Sequence, residues 1–130
     1  MVNDTVYNKL KHLEIINVES KLNFLGNYKC HMNCLNYARK HKSVVKIVGV
    51  AQVFNDNGIV AHFIVKLKNG TYLDPSYGRL SSIGYQYNIK IEEYNVETFN
   101  PSRELSNLKE YLFYKLPWYV RLFKNKHNTF

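Results

Sequence analysis

The strongest constraint on the fold is a pair of apolar segments separated by a turn sequence. "SVVKIVGVAQVF", residues 43–54, is rich in β-branched residues and alternates its side chains, and "IVAHFIVKL", residues 59–67, is similarly apolar. Between them, "NDNG" at residues 55–58 is typical of a hairpin turn, with Gly58 suited to a positive φ. The chain therefore predicts an antiparallel β-hairpin near its middle.

Two further strands follow this hairpin. "KNG" at residues 68–70 is a second turn, and "TYLD" at residues 71–74 is a short third strand, so the three strands form an antiparallel meander. "GYQYNIKIEEY", residues 84–94, predicts a fourth strand whose register the pattern leaves open.

Helical periodicity appears before and after the sheet. The first predicted helix covers residues 4–16 with Asp4 or Thr5 as its cap, and the second runs from Cys30 to about His41. A third begins at Pro101, after a cap at Asn100, and is stopped or kinked by Pro117. The residues with helical spacing are Val6, Leu10, Leu13 and Ile16 in the first helix, Cys30, Asn33, Cys34 and Tyr37 in the second, and Leu105, Leu108 and Leu112 in the third. We therefore expect one α+β domain over residues 1–130.

Composition narrows the class of protein. The chain has 130 residues and is 45% apolar, which is typical of a single folded domain. No segment has the run of apolar residues that a membrane span needs, and "MVNDTVYNKLKH" lacks the apolar core of a signal peptide. Two cysteines do not make a disulfide framework. We therefore expect a protein of the reducing cytoplasm.

The net charge of +8 is spread along the chain, except at the C-terminal end. Aromatic and basic residues alternate there without an acid: Tyr111, Phe113, Tyr114, Lys115, Trp118, Tyr119, Arg121, Phe123, Lys124 and Lys126. Such a segment can dock on a membrane surface, stack on nucleic acid, or pack on the sheet with its lysines in water. The pattern favours packing, and the diffuse charge makes a specific nucleic-acid function the lesser expectation.

Cys30, His62 and Asp74 are the residues with the clearest chemical potential. A helix N-terminus lowers the pKa of a thiol such as Cys30, whereas Cys34, one turn further on, fits a small buried thiol. His62 interrupts an apolar strand and needs a buried partner. Asp74 ends the next strand, offset from His62 along the hairpin, so contact between them is a hypothesis. The order Cys, His, Asp matches a nucleophile, a base and the group that orients the base.

Each of these residues also has an ordinary structural explanation. Cys30 and Cys34 can be two core thiols, His62 can be a core histidine bonded to a carbonyl, and the Asp-Pro-Ser sequence at Asp74 is a good turn opener. A zinc site made of Cys30, His31, Cys34 and His41 is a further alternative, although this spacing is unlike that of structural zinc sites.

"KCHMNC" at residues 29–34 and "AHFIVKLKNGTYLDPS" at residues 61–76 resemble the core of the papain-like and transglutaminase-like cysteine enzymes, in particular small phage and bacterial members. The resemblance spans about residues 26–78. It implies a papain-like core in which a nucleophile helix packs on an antiparallel sheet, with flanking N- and C-terminal helices. It also implies a catalytic triad, with Cys30 as nucleophile, His62 as base and Asp74 as orienter.

The resemblance has implications for the surroundings of the triad as well. It suggests that Asn33 supports the site from one turn into the helix. Relatives often carry tryptophan close after the histidine, where this chain has phenylalanine and isoleucine. The oxyanion glutamine of papain lies before the cysteine, and no glutamine precedes Cys30 here. Asn23, Asn27 or His31, together with the Cys30 N–H, are the candidate replacements.

The expected function is that of a cysteine hydrolase or acyl transferase of the protease, amidase or deamidase type. Its substrate would be an amide or isopeptide bond in a protein or peptide, and no cofactor or metal is expected. The alternative is a non-catalytic basic binding protein, such as a phage accessory protein that grips a host protein or nucleic acid. A phage-encoded protein would act in the host cytoplasm.

Overall fold

The computed structural model describes residues 2–10, 12–19, 29–54, 58–76, 87–125 and 129–130. One helix precedes each of two groups of strands, two further helices end the chain, and a 3₁₀ turn at Val96–Thr98 precedes the third helix. The elements are α1 (Val2–Leu10), β1 (Ile15–Ile16), β2 (Val18–Glu19), α2 (Cys30–Lys40), β3 (Val44–Val53), β4 (Ile59–Leu67), β5 (Tyr72–Leu73), β6 (Tyr87–Asn95), α3 (Pro101–Phe113) and α4 (Trp118–Arg121).

The strands form one sheet in the order β1-β6-β3-β4-β5-β2. All described neighbours are antiparallel except β2 and β5, which are parallel. The predicted central hairpin is confirmed, since β3 and β4 pair from Val53 opposite Ile59 to Lys46 opposite Lys66. Turn residues 55–57 lie outside the described residues. In the second turn, Gly70 has a φ of 85°, which glycine adopts without steric cost.

β6 lies beside β3 and therefore on the opposite side of the hairpin from β5. β3 is buried along most of its length on both faces, so its backbone groups need partners along both edges. β4 provides the hydrogen-bond partners along one edge of β3, and β6 provides those along the other edge. The register between β3 and β6 shifts at Gly49 and Val50, where a bulge changes the pairing.

β1 and β2 are separated only by Asn17, yet they join opposite edges of the sheet. β1 pairs with β6, and β2 pairs with β5. The sheet must therefore curl until its two edges meet at this segment, giving a nearly closed arrangement. The predicted helix over residues 4–16 is wrong beyond Leu10, because Ile15 and Ile16 are strand residues; two adjacent β-branched residues suit a strand better than a helix end.

The sheet has two apolar faces of different size. The helix face packs against the helices, and its buried members include Val6, Leu10, Cys34, Leu35, Ile47, Ala51, Phe63, Val65, Leu108 and Leu112. The opposite face has a smaller cluster of Ile16, Val48, Val50, Ile64 and Tyr72. Alternation along β4 places His62 on this opposite face, between Val60 and Ile64.

The C-terminal part of the chain is only partly packed. The predicted cap of α3 is confirmed, because the side chain of Asn100 accepts a hydrogen bond from the Arg103 N–H at 3.1 Å.

Leu116 is buried and Val120 packs against the core. The prediction that the aromatic end packs on the sheet is wrong for Trp118, Tyr119, Leu122 and Phe123, which are 67%, 57%, 70% and 88% exposed. None of the described helices is long and apolar enough to cross a membrane.

Two identical substitutions in this region should differ sharply in their cost. Leu112 is fully buried, so Leu112→Ala should lower the free energy of unfolding by about 2–5 kcal/mol through lost transfer energy and a residual cavity. Leu122 is exposed, so Leu122→Ala should change it by less than about 0.5 kcal/mol. Urea unfolding followed by circular dichroism measures both. Equal costs would contradict the burial of Leu112 and the exposure of Leu122.

Candidate active site

α2 places Cys30 in its first turn. The first helical hydrogen bond runs from the Asn33 N–H to the Lys29 carbonyl at 2.8 Å, so the N–H groups of Cys30 and His31 precede the helical ladder. Cys34 anchors the helix on the helix face of the sheet. The half-buried Cys30 thiol therefore lies at the positive end of a helix.

Cys30 and His62 meet at the edge of β4. β5 pairs with β4 only near Val65 and Lys66, so the backbone of β4 around Ala61 and Phe63 has other partners along that edge. The Ala61 N–H donates to the Phe130 carbonyl at 3.1 Å. The Phe63 N–H donates to the Cys30 sulfur, which also hydrogen-bonds with the side chain of His62. A thiol on the helix side thus reaches an imidazole on the opposite face.

Asp74 is the third member of a hydrogen-bonded row that consists of Cys30, His62 and Asp74. His62 Nε2 lies 2.8 Å from Asp74 Oδ2, and the two residues are 2% and 0% exposed. Extending the register of Lys66 opposite Tyr72 places Asp74 opposite Ile64, which is diagonal to His62 on the same face. The offset seen in the sequence is therefore short enough for direct contact. Because Nε2 is engaged with Asp74, Nδ1 is the ring nitrogen that faces Cys30.

Ser76 and Asn33 connect this row back to α2. The second carboxylate oxygen of Asp74, Oδ1, accepts the Ser76 N–H at 2.9 Å. Ser76 Oγ in turn accepts a buried hydrogen bond from Asn33 Nδ2 at 2.9 Å. A ring of contacts therefore runs from Cys30 through His62, Asp74 and Ser76 to Asn33, three residues after Cys30. The sequence analysis proposed Asn33 as a supporting residue but missed Ser76. The position of Ser76 in the Asp-Pro-Ser turn, two residues after Asp74, was the signal that could have identified it.

The other candidate site residues fall in different places. Asn27, like Asn23, lies outside the described residues. The side chain of His31 hydrogen-bonds with the Cys30 thiol, and its buried Nδ1 has no partner within the described part of the chain. The exposed His41 stacks on Tyr37, with ring centroids 4.0 Å apart. Within the described ranges, no three His, Cys, Asp or Glu side chains form a group that could hold a metal ion.

The surroundings of Cys30 favour the thiolate. Burial on its own raises the pKa of the thiol. Hydrogen bonds with His31 and His62, the positive charge of His62 and the Phe63 N–H outweigh burial and lower the pKa of Cys30 from 9.0 to about 6. Cys34 is fully buried, and desolvation is the chief reason that its pKa lies well above its usual value. Only one of the two thiols is therefore ionised at neutral pH.

The pKa of His62 shifts in the opposite direction from that of Cys30. Burial on its own lowers the pKa of the imidazole, but the charge and hydrogen bond of Asp74, reinforced by Cys30, raise it from 6.5 to about 10. Between these two pKa values Cys30 and His62 form a thiolate–imidazolium pair. This is the charge state that a cysteine nucleophile with a general acid requires.

Two more polar side chains occupy the face that carries His62. Gln52 and Asn88 are opposite each other on β3 and β6, and both are fully buried. Their amide groups have no hydrogen-bond partner among the residues that the structure describes. Val50, which is opposite His62, precedes Gln52 by two residues on β3. This face is therefore more polar around His62 than the helix face.

Comparison with known proteins does not assign the chain to a family. A scan against protein-family models, a search of curated proteins and a search of solved structures each found no match.

Alkylation should separate the two thiols. Cys30 should react with iodoacetamide along a titration curve centred near pH 6, whereas Cys34 should stay unmodified in the folded protein because it is buried and neutral. In His62→Ala, the loss of the positive charge should move the Cys30 midpoint upward. Mass spectrometry of the modified peptides over a pH series measures both. A wild-type midpoint near that of a free thiol would contradict the assigned ion pair.

The charge of Asp74 should be visible at His62. Asp74→Asn removes the carboxylate that stabilises the imidazolium, so the pKa of His62 should fall from about 10. The nitrogen chemical shifts of the histidine ring, followed by NMR over a pH series, give this value. Glu97→Gln makes the same acid-to-amide change at an exposed position and should leave the titration unchanged. An unaltered His62 titration in Asp74→Asn would refute the pairing.

Proposed function

We propose that this protein is a cysteine hydrolase or acyl transferase that acts on an amide or isopeptide bond in a protein or peptide. The observation that carries the proposal is the hydrogen-bonded row of Cys30, His62 and Asp74, with its lowered thiol pKa and raised imidazole pKa. A binding surface alone does not need a thiolate beside a buried imidazolium–carboxylate pair.

The first half of the reaction forms a thioester. The Cys30 thiolate attacks the carbonyl carbon, and the carbonyl π electrons move onto oxygen to give a tetrahedral oxyanion. When that intermediate collapses, the carbon–nitrogen bond breaks, and the leaving nitrogen takes the proton from His62 Nδ1. The amine departs, and the acyl group stays on sulfur. Asp74 holds Nε2–H throughout, so the ring keeps Nδ1 toward the sulfur.

The second half regenerates the thiolate. Neutral His62 accepts a proton from water as the water oxygen attacks the thioester, and collapse of this second intermediate expels the thiolate. Hydrolysis gives a carboxylic acid, and attack by an amine in place of water gives a new amide. The proton taken by Nδ1 restores the starting ion pair, so both outcomes use the same residues.

The backbone N–H of Cys30 is the oxyanion donor in this proposal. It points out of the first turn of α2, ahead of the helical ladder, where the partial positive charge favours a developing oxyanion. His31, already bonded to the Cys30 sulfur, is the candidate for a side-chain donor.

The arrangement supports the resemblance to papain-like and transglutaminase-like enzymes as part of the proposal. A nucleophile helix on a mainly antiparallel sheet, with the histidine on one strand and the aspartate directly after the next, is what that resemblance implies. Both cysteines are free, and a thiolate nucleophile must stay reduced. A reducing compartment such as the cytoplasm therefore suits the proposed reaction.

Substrate trapping tests the proposal. Cys30→Ala keeps the binding surface but removes the nucleophile, so turnover should fall by at least about a thousandfold while substrates stay bound. Affinity capture from a reducing cell extract, followed by mass spectrometry, should recover proteins with Cys30→Ala that wild type releases in cleaved, deamidated or cross-linked form.

A matched substitution controls for the loss of a thiol. Cys34→Ala removes a buried thiol and leaves the nucleophile, so it should retain activity to the extent that it folds. Circular dichroism reports the folding of each variant. Identical capture by wild type, Cys34→Ala and Cys30→Ala, with no modified product, would show that the protein binds without catalysis.

A further inference from the structure

The exposed end of the chain has a consistent orientation. Leu116 is buried and Val120 packs against the core, so these two residues hold α4 against the domain. Trp118 and Tyr119 between them, and Leu122 and Phe123 after them, are exposed. We call the exposed set of Trp118, Tyr119, Leu122 and Phe123 the apolar patch.

The apolar patch is unusual for the surface of a small protein. Its four side chains occupy positions i, i+1, i+4 and i+5, so they lie on one side of the helical turn and its extension. All four are more than half exposed, and Phe123 is 88% exposed. Single exposed apolar residues are ordinary, but a contiguous aromatic and aliphatic set marks a surface that binds something.

Basic residues surround the apolar patch. Arg121 lies over the Tyr114 ring at 4.9 Å, and Lys115 lies over the Tyr111 ring at 4.7 Å. Lys124 follows the patch, and Lys9 of α1 donates to the Lys115 carbonyl at 2.8 Å, which adds another cation at this end of the domain. No aspartate or glutamate occurs after Glu110. The surface therefore pairs protruding apolar groups with positive charge.

We propose that the apolar patch and the basic residues around it bind the surface of an anionic lipid bilayer. Tryptophan and tyrosine prefer the interface between headgroups and acyl chains, leucine and phenylalanine enter the acyl boundary, and lysine and arginine contact anionic headgroups. Single-stranded nucleic acid would use stacking rings, but Leu122 is 70% exposed beside Phe123 and has no stacking surface. The mixture of aliphatic and aromatic exposure thus favours lipid.

Trp118 is the only tryptophan of the chain, so its fluorescence reports on this surface directly. Vesicles of phosphatidylcholine with one third phosphatidylglycerol should shift its emission to shorter wavelength and reduce quenching by acrylamide. Pure phosphatidylcholine vesicles should bind at least roughly tenfold more weakly, because they lack the negative surface potential that attracts the basic residues beside the patch. Raising the salt concentration should weaken the anionic binding.

Matched variants assign the binding to this surface. Leu122→Ala/Phe123→Ala should weaken partitioning at least roughly tenfold through lost apolar contact. Arg121→Gln/Lys124→Gln should weaken it by a similar factor on anionic vesicles. Lys40→Gln/Lys42→Gln makes the same charge change at exposed positions on α2 and just after it, and Ile15→Ala/Val45→Ala removes exposed apolar side chains elsewhere. These two controls should bind like wild type.

Three results would overturn the proposal. One is an unchanged Trp118 spectrum with anionic vesicles. Another is equal weakening by the patch variants and the controls. The third is a Trp118 response to an oligothymidylate strand but not to vesicles, which would identify a nucleic-acid surface. All variants lie outside the Cys30 site, so the result is independent of whether the protein is an enzyme.

Discussion

The contact between His62 and Asp74 is the interaction on which the rest of the site depends. Two ionised groups buried in a sheet lose most of their hydration, and that loss is large unless each charge is held by a close partner. Asp74 has His62 on one oxygen and the Ser76 N–H on the other. His62 has Asp74 on one side and Cys30 on the other. Asp74 therefore stabilises the imidazolium, and the hydrogen bond and charge of that imidazolium, together with the His31 side chain and the Phe63 N–H, lower the pKa of the Cys30 thiol.

The charges of this row affect stability and reactivity differently. The pKa of His62 is raised, so its contribution to stability is fully present below about pH 6.5 and is lost as the pH rises through about 10. The pKa of Cys30 is lowered from 9.0 to about 6, so its contribution is present above about pH 9 and is lost as the pH falls through about 6. The two contributions have opposite slopes across neutral pH and partly cancel. The reactivity of the sulfur, in contrast, follows its ionisation alone.

Local patterns in the sequence were enough to predict α2, the β3–β4 hairpin and the cap of α3, because period, turn residues and capping are properties of neighbouring residues. β1 and β2 were missed, since two-residue strands exist only through pairing with β6 and β5, which are distant in sequence. The place of β6 beside β3 depends on the same long-range pairing. At the site, residue types predicted the row of Cys30, His62 and Asp74. The diagonal register and the contact of the Phe63 N–H with sulfur needed the folded sheet.

The edge of β4 also relates the site to the apolar patch. The chain leaves the patch at Phe123 and returns to the edge of β4 at Phe130, whose carbonyl accepts the Ala61 N–H one residue before His62. Seven residues span at most about 25 Å when fully extended, so Phe123 of the patch lies within about that distance of Phe130. A bilayer bound at the patch, as proposed, would keep the domain and its Cys30 thiolate at the membrane. Substrates tethered to that surface would then meet the thiolate at a raised local concentration, without any change in the row of Cys30, His62 and Asp74.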